Sequence, residues 1–179
     1  MRADGKRVKD LPPIVAAVPY IMPKRYDAQN TVTEYVDEEI IKSYIREKRR
    51  AGTRIDHMSV IISAYYKAVQ KNPKLNYFVM NSKIYERNHF CVSFVILKKL
   101  PDGRPDETTL KIFLEPTDTV FTVYEKIVTN IEKNSATEQK NSTDKFARMM
   151  FSLPLLPKLV VSLAYGLDRL GLLPRKIID

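Results

Sequence analysis

The residue types best suited to nucleophilic chemistry are His89 and Cys91, which are separated by a single residue. The segment H-F-C-V-S-F-V-I is typical of a β-strand, and residues two apart on a strand share a face. A thiolate nucleophile with an imidazole base would use this pair of residue types. However, neighbouring positions on one strand rarely bring the imidazole Nε2 to the sulfur, and no carboxylate that would orient the ring is evident. The pattern therefore favours a packed, unreactive cysteine over a Cys–His site.

The other histidine, His57, follows Asp56 at the start of a helical pattern. A role in the capping turn is favoured over catalysis there. The motifs G-x-x-x-x-G-K-[ST], G-x-G-x-x-G and H-E-x-x-H do not occur, and with five glycines a glycine-rich phosphate loop is not expected. The single cysteine excludes a disulfide framework and a Cys-based zinc cage. The sequence thus predicts no metal site, and its cysteine usage fits a reducing cytoplasm.

The chain is basic, with a net charge of +9 from 30 Lys and Arg against 21 Asp and Glu. Such a surplus favours a nucleic acid, an anionic membrane surface or a phosphorylated cofactor as partner, although many soluble proteins are simply basic. Only Tyr44 lies among the most densely spaced cations, whereas single-stranded nucleic acid is bound with interleaved aromatics. A solvated basic face is therefore favoured over a phosphate site, and no nucleic-acid partner is expected. The cations are Lys42, Arg46, Lys48, Arg49, Arg50 and Arg54.

The length of 179 residues predicts one domain that is large enough to bury a core. The N-terminal sequence MRADGKRVKDLPP lacks the apolar region of a signal peptide. The longest apolar runs, near the C-terminus, are shorter than the ~18 residues that a transmembrane helix needs. The sequence therefore predicts a cytoplasmic protein without a transmembrane segment.

The first third of the chain shows three patterns. Residues 1–13 are charged and proline-stopped, which predicts an extended N-terminal arm. Ile14 to Met22 is apolar but contains Pro19, which predicts an edge strand or an irregular core segment. Alternating residues predict a strand from Asp27 to Val36. Asp37 then predicts a helix N-cap, and Gly52 a helix stop.

The centre of the chain, from Asp56 to Ile96, predicts a buried helix followed by a two-stranded ribbon. The helix extends from about His57 to Asn72, where Asn72-Pro73 ends it. Strands are predicted from Leu75 and from Ile84 to Ile96, joined by a turn at Asn81-Ser82-Lys83. The apolar face of the helix is predicted to contain Met58, Ile61, Ile62, Tyr65 and Val69.

The remaining patterns complete an α/β protein. Asp102-Gly103 predicts a hairpin tip before a strand from Thr108 to Leu114. A helix capped by residues 117–119 follows, then a mobile loop over 133–143 and C-terminal helices over 144–173, ending at Gly171. The order predicts a two-layer sandwich over 1–179, with helices on one face of a mixed sheet. Val120, Val123, Ile127 and Ile131 are predicted to face inward.

Several of these segments resemble one family. They are the Asp37-capped helix, the helix ending N-P-K-L-N (Asn72 to Asn76), K-I-Y (Lys83 to Tyr85) and the strand H-F-C-V-S-F-V-I. Together they resemble the chloramphenicol acetyltransferase-like fold, and in particular the catalytic domain of the acyltransferase component of 2-oxoacid dehydrogenase complexes. The N-terminal D-G-K-R-V-K-D-L-P-P resembles a stand-alone bacterial subgroup without lipoyl or peripheral-binding domains.

The resemblance implies acyl transfer from a coenzyme A thioester to a hydroxyl or thiol acceptor. In that family a histidine in an H-x-x-x-D-G pattern is the general base, and a serine or threonine hydroxyl stabilises the oxyanion. The site lies between subunits of a homotrimer. By resemblance, the residues on the acceptor side here are Tyr26, Ala28 and Asn30, although ordinary strand-edge residues explain them equally well.

This sequence departs from the family at the catalytic base, because neither His57 nor His89 lies in an H-x-x-x-D-G pattern. By resemblance the chain is a C-terminally incomplete acyltransferase domain, inactive alone unless a complementing chain supplies the base. No catalytic residue is assigned. Uncovered apolar surface would then favour self-association. The alternative is a non-catalytic interaction module that binds a protein partner or an anionic membrane surface.

Overall fold

A computed structural model describes residues 2–99, 105–135 and 156–174 of the chain. In these ranges the strands form a three-stranded and a two-stranded sheet, and every pairing is antiparallel. The predicted mixture of helices and strands is confirmed, but the single mixed sheet is wrong for the described residues. In chain order the elements are β1 (Gly5–Arg7), α1 (Pro13–Ile21), α2 (Glu38–Arg50), α3 (His57–Lys71), β2 (Tyr77–Met80), β3 (Lys83–Arg87), β4 (Phe90–Lys99), β5 (Pro105–Leu114), α4 (Val120–Ser135) and α5 (Leu156–Leu170).

The chain divides into two compact units. The described residues of unit 1 are 2–23, 77–88 and 156–174, and those of unit 2 are 24–76, 89–99 and 105–135. Each unit contains one of the two sheets.

Unit 1 is built on the sheet β1-β3-β2. The predicted extended arm contains β1, which pairs with β3 from Gly5 opposite Arg87 to Arg7 opposite Tyr85. The turn between β2 and β3 is confirmed, and Asn81 and Ser82 both have positive φ angles of 51° and 55°. Two successive residues in this conformation are typical of a type I′ hairpin turn, whose twist suits antiparallel strands.

Two helices complete the described part of unit 1. The segment predicted as an edge strand, Ile14 to Met22, is instead largely helix α1. Pro13 occupies the start of this helix, where its fixed φ is favourable and its missing N–H costs nothing. Pro19 then removes only one hydrogen bond from a short helix. Helix α5 ends as predicted at Gly171, which has a φ of 72°. The parts of the predicted loop and C-terminal helices over 136–155 lie outside the described residues.

Unit 2 is a long hairpin covered by helices on one face. Strands β4 and β5 pair from Phe90 opposite Leu114 to Lys99 opposite Pro105, and the predicted tip at Asp102-Gly103 lies outside the described residues. Helices α3 and α4 pack together, α4 packs on β5, and α2 packs on α3. Val123 and Ile127 are fully buried, as predicted for α4. The core consists of Ile62, Tyr66, Val69, Phe90, Ile112, Leu114, Val123 and Ile127.

Local caps explain the helix boundaries in unit 2. The Asp37 carboxylate accepts a hydrogen bond from the Glu39 N–H at 2.9 Å, and Gly52 follows α2 with a φ of 83°. At the start of α3, the Asp56 carboxylate accepts from the Ser59 N–H, while the Ser59 hydroxyl accepts from the Asp56 N–H. This reciprocal pair is a capping box. The predicted N-cap at Asp37 and the predicted helix stop at Gly52 are therefore confirmed.

Two predictions in unit 2 are wrong. The strand predicted from Asp27 to Val36 does not form: Asp27 and Ala28 belong to a 3₁₀ turn, and residues 29–37 belong to no helix or strand, because side-chain alternation is not sufficient to form a ladder. On α3 the buried tyrosine is Tyr66, whereas Ile61 and Tyr65, both predicted on the apolar face, are 58% and 52% exposed. The buried stripe of α3 follows Ser59, Ile62, Tyr66 and Val69, at helical spacings of three and four residues.

Candidate functional site

A cluster of buried charges lies in unit 1, around the guanidinium of Arg2. Its Nε and Nη2 donate to the two carboxylate oxygens of Asp4 at 2.9 and 3.1 Å. Its Nη2 and Nη1 also donate to the carboxylate and the backbone carbonyl of Asp168 on α5, both at 2.6 Å. The side chains of Arg2 and Asp4 are only 7% and 4% exposed. The first residues of the chain are thereby tied to α5.

Aromatic rings enclose this charge cluster. The Arg2 guanidinium lies 5.6 Å from the centre of the Phe78 ring and 5.8 Å from that of Tyr85, and the two rings stack on each other. A cation over a desolvated ring face gains electrostatic energy from the ring quadrupole. Strands β2 and β3 therefore position the rings, and β1 places Asp4 beside them.

The ionisation of the cluster follows from its geometry. Burial alone would raise the pKa of Asp4, but the hydrogen bonds and the charge of Arg2 outweigh it and hold that pKa below its usual value. The hydrogen bond to Asp4 raises the pKa of Arg2, against the opposing effect of burial. Arg2 and Asp4 are therefore both charged at neutral pH, and the Asp4 carboxylate is an acceptor rather than a proton donor.

A cavity of ≈ 530 Å³ lies beside the cluster, within unit 1. Arg2, Asp4 and Asp168 form its polar side, and Met80, Val161 and Tyr165 belong to its apolar side. Arg87 also lines the cavity, with its guanidinium 4.5 Å from the centre of the Phe78 ring. The cavity is within the size range of small-ligand sites. Its buried guanidinium already donates to two carboxylates, so it is better suited to holding the fold together than to binding an anion.

Unit 2 contains a second candidate, an open groove of ≈ 740 Å³ between the end of α2, the start of α3 and α4. Arg49, Arg54 and the Asp56 carboxylate, which caps α3, line the groove together with Tyr124, Val128 and Ile131 of α4. Elsewhere on α2, Lys42 pairs with Glu38 at 2.7 Å, Arg46 with Glu39 at 3.0 Å and Lys48 with Glu47 at 3.1 Å, whereas the exposed Arg50 forms no ion pair with a described residue. Arg49 and Arg54 form no ion pair with any residue that the structure describes. The groove thus combines two unneutralised guanidinium groups with an apolar wall.

The histidines and the cysteine are placed in ordinary packing environments. His57 is half-exposed at the first position of α3, with its Nε2 3.9 Å from the Glu38 carboxylate. The His89 ring lies edge-on to Phe113, 5.2 Å between ring centres. The thiol of the half-buried Cys91 is 3.9 Å from the Val92 carbonyl oxygen.

The residues assigned to the acceptor side by resemblance lie at the surface of unit 2. Tyr26 and Ala28 belong to a single 3₁₀ turn, Arg25–Ala28, and Asn30 follows it. All three are exposed, and the Lys24 ammonium lies 5.3 Å from the centre of the Tyr26 ring. Neither of the two cavities described above includes them.

The sequence did not indicate the Arg2 cluster. Arg2 and Asp168 are 166 positions apart, and neither belongs to a motif. Arg49 and Arg54 were visible as part of a basic run, but their lack of ion-pair partners was not. For the groove of unit 2, the run of cations was the signal that the sequence offered.

Comparison of the chain with known protein families, characterised proteins and solved structures finds no match. No helix in the described ranges is both long and apolar enough to cross a membrane. Among residues 2–99, 105–135 and 156–174, no three His, Cys, Asp or Glu side chains cluster as metal ligands.

Proposed function

We propose that this chain is a coenzyme A-dependent acyltransferase-family domain with a chloramphenicol acetyltransferase-like fold, which binds the thioester in the groove of unit 2. The observation that carries the proposal is the pair of unneutralised arginines, Arg49 and Arg54, opposite an apolar wall. Coenzyme A joins phosphate groups to an adenine ring and a pantetheine arm. Guanidinium groups suit the phosphates, and Tyr124 with Val128 suits the less polar parts.

Acyl transfer itself needs a general base and an oxyanion donor. His57 has only a distant carboxylate neighbour, and His89 is packed on an aromatic ring. The proposal is therefore that this chain binds the donor and does not transfer the acyl group alone. In this proposal the site is completed by a homotrimeric arrangement or by a complementing chain that supplies the H-x-x-x-D-G base. The protein acts in the cytoplasm.

Binding of acetyl-coenzyme A measured by calorimetry tests the first part. The double variant Arg49→Gln/Arg54→Gln should weaken binding by roughly tenfold or more, since each charge-assisted hydrogen bond contributes about 1.5–3 kcal/mol. The matched control is Arg46→Gln, which removes an arginine of the same helix that is already paired with Glu39. Equal losses in both variants, or no binding by the unaltered chain, would contradict the proposal.

Release of coenzyme A from acetyl-coenzyme A, with hydroxyl and thiol acceptors, tests the second part. The chain alone should show no turnover above the solvent background. Turnover that disappears in His57→Gln or His89→Gln would show instead that this chain contains its own base.

The second candidate function is a non-catalytic interaction module. The observation that favours it is the row of exposed leucines on α5, which leaves an apolar surface uncovered. An interaction module would bind its partner with no dependence on Arg49 or Arg54. The same arginine variants therefore distinguish the two candidates.

A further inference from the structure

One face of helix α5 lines the cavity beside the Arg2 cluster, and another face carries exposed leucines. Val161, Ala164, Tyr165 and Asp168 line the cavity beside Phe78 and Arg2. Leu159, Leu163 and Leu170 are 67%, 60% and 73% exposed. Residues spaced by four and seven positions lie on one face of a helix. The leucine stripe of this amphipathic helix is therefore on the side away from the cavity.

The charges of α5 are arranged unevenly as well. Its charged residues are Lys158, Asp168 and Arg169. Asp168 is bound to the Arg2 guanidinium, so its negative charge is neutralised on the inner side. Lys158 and Arg169 are exposed and form no ion pair with another described residue. The outer surface of the helix thus presents leucines together with two unneutralised cations and no free carboxylate.

We propose that α5 is a docking helix for an anionic lipid surface, which it contacts with Leu159, Leu163 and Leu170 while Lys158 and Arg169 bind lipid phosphates. A helix with an apolar stripe and basic residues lies in the plane of a bilayer interface, with its leucines below the headgroups. This inference deepens the interaction-module candidate and is independent of coenzyme A binding.

Charge favours a lipid surface over a second copy of the chain. Two copies joined symmetrically through this stripe would bring the cations of one helix close to those of the other, and like charges across an interface are unfavourable. An anionic leaflet attracts basic residues near its surface instead. Helix α1 of unit 1 adds two exposed apolar side chains, Ile14 and Ile21, but contains no charged residue.

Vesicle flotation with the full chain tests the proposal. Vesicles of phosphatidylcholine and phosphatidylglycerol in equal parts should carry the protein, and vesicles of phosphatidylcholine alone should carry much less. The double variant Leu159→Gln/Leu163→Gln should reduce binding by roughly tenfold or more, because two leucines no longer enter the apolar phase. Both positions are exposed and glutamine is a good helix former, so the variant should fold.

The matched control is Leu75→Gln/Leu97→Gln, which replaces two exposed leucines of unit 2 with the same residue and should leave binding unchanged. A charge variant, Lys158→Glu/Arg169→Glu, keeps the leucines and should abolish the preference for anionic vesicles. Circular dichroism confirms folding of each variant.

Three outcomes would overturn the proposal. The first is no flotation with anionic vesicles, and the second is an equal loss in the control variant. The third is a chain that sediments as a dimer and becomes a monomer in Leu159→Gln/Leu163→Gln without binding vesicles, because the stripe would then be an interface between copies. Loss of flotation with coenzyme A binding retained would support the lipid surface and leave the groove unaffected.

Discussion

Arg2 is the residue that connects most of unit 1. Its guanidinium bonds to β1 through Asp4 and to α5 through Asp168, and it lies over rings on β2 and β3. Replacing Arg2 with Gln leaves the Asp4 carboxylate buried and uncompensated. Breaking such a pair typically costs about 3–5 kcal/mol. Urea unfolding followed by circular dichroism should show a loss of this order.

Two substitutions make the Arg2 prediction specific. Arg2→Lys cannot form the bidentate hydrogen bonds of a guanidinium, but it keeps the positive charge beside Asp4. It should therefore lower the free energy of unfolding by less than Arg2→Gln does. Arg25→Gln changes an exposed arginine and should alter the free energy of unfolding by no more than about 0.5 kcal/mol. If Arg2→Gln behaved like Arg25→Gln, the cluster would contribute nothing to stability.

Buried carboxylates make the protein sensitive to acid. Burial raises the pKa of Asp118, but bonds from the Lys126 ammonium at 2.6 Å, the Glu115 N–H and Thr122 outweigh it and lower that pKa. The pKa of Asp4 is lowered as well. A lowered pKa in the folded state stabilises the protein above the unfolded value of about 3.9, and the stabilisation disappears as pH falls through the folded value.

We therefore expect the contribution of Asp4 and Asp118 to the free energy of unfolding to be constant from neutral pH down to about pH 5. Below about pH 4 this contribution should decrease. Urea midpoints measured at a series of pH values test this. In Asp118→Asn the decrease on acidification should be smaller, because one of the two groups no longer titrates. An unchanged pH dependence in that variant would contradict the role given to Asp118.

At the scale of elements, the hairpin turn between β2 and β3 places Ser82 at a φ of 55°. A left-handed conformation costs a residue with a Cβ about 1–2 kcal/mol, and glycine avoids most of this at an entropic cost of about 0.5–1 kcal/mol. Ser82→Gly creates the Asn-Gly pair that type I′ turns favour. The variant should be more stable by about 0.5–1 kcal/mol in urea unfolding.

The control for this turn is Ser43→Gly, at an exposed helical position of α2. There the substitution should destabilise the protein by about 0.5 kcal/mol, because glycine is a poor helix former. The same chemical change should thus have opposite signs at the two serines. A loss of stability in both variants would show that the turn is not strained.

The sequence predicted those elements whose signals are local. Asp37 and Gly52 marked helix ends because capping involves residues a few positions apart. The strand predicted from Thr108 to Leu114 is part of β5, whereas the strand predicted from Ile84 to Ile96 is divided into β3 and β4, which belong to different sheets. Residues 31–36 alternate like strand residues but have no strand partner in the described structure, and a partner cannot be read from a segment alone. The Arg2–Asp168 pair was missed for the same reason, since only the tertiary fold brings its members together.

At the scale of the whole molecule, each unit has its own centre, which is polar in unit 1 and apolar in unit 2. Ile112 is almost fully buried in the unit 2 core, and Ile112→Ala should cost about 2–5 kcal/mol. Leu97→Ala, on an exposed part of β4, is the matched control and should cost little. Ile112→Ala leaves a cavity in the core that α3 and α4 cover, so the loss of stability should be concentrated in that core.

Hydrogen exchange followed by mass spectrometry measures where that stability is lost. In Ile112→Ala the amides of α3, α4, β4 and β5 should exchange faster, because the opening free energy of the core they share is lower. The amides of β1, β2 and β3 bond within a sheet whose stability depends on Arg2, so Arg2→Gln should accelerate them instead. If either variant accelerated exchange equally in both sheets, the chain would unfold as one cooperative body and the division into two units would have no energetic meaning.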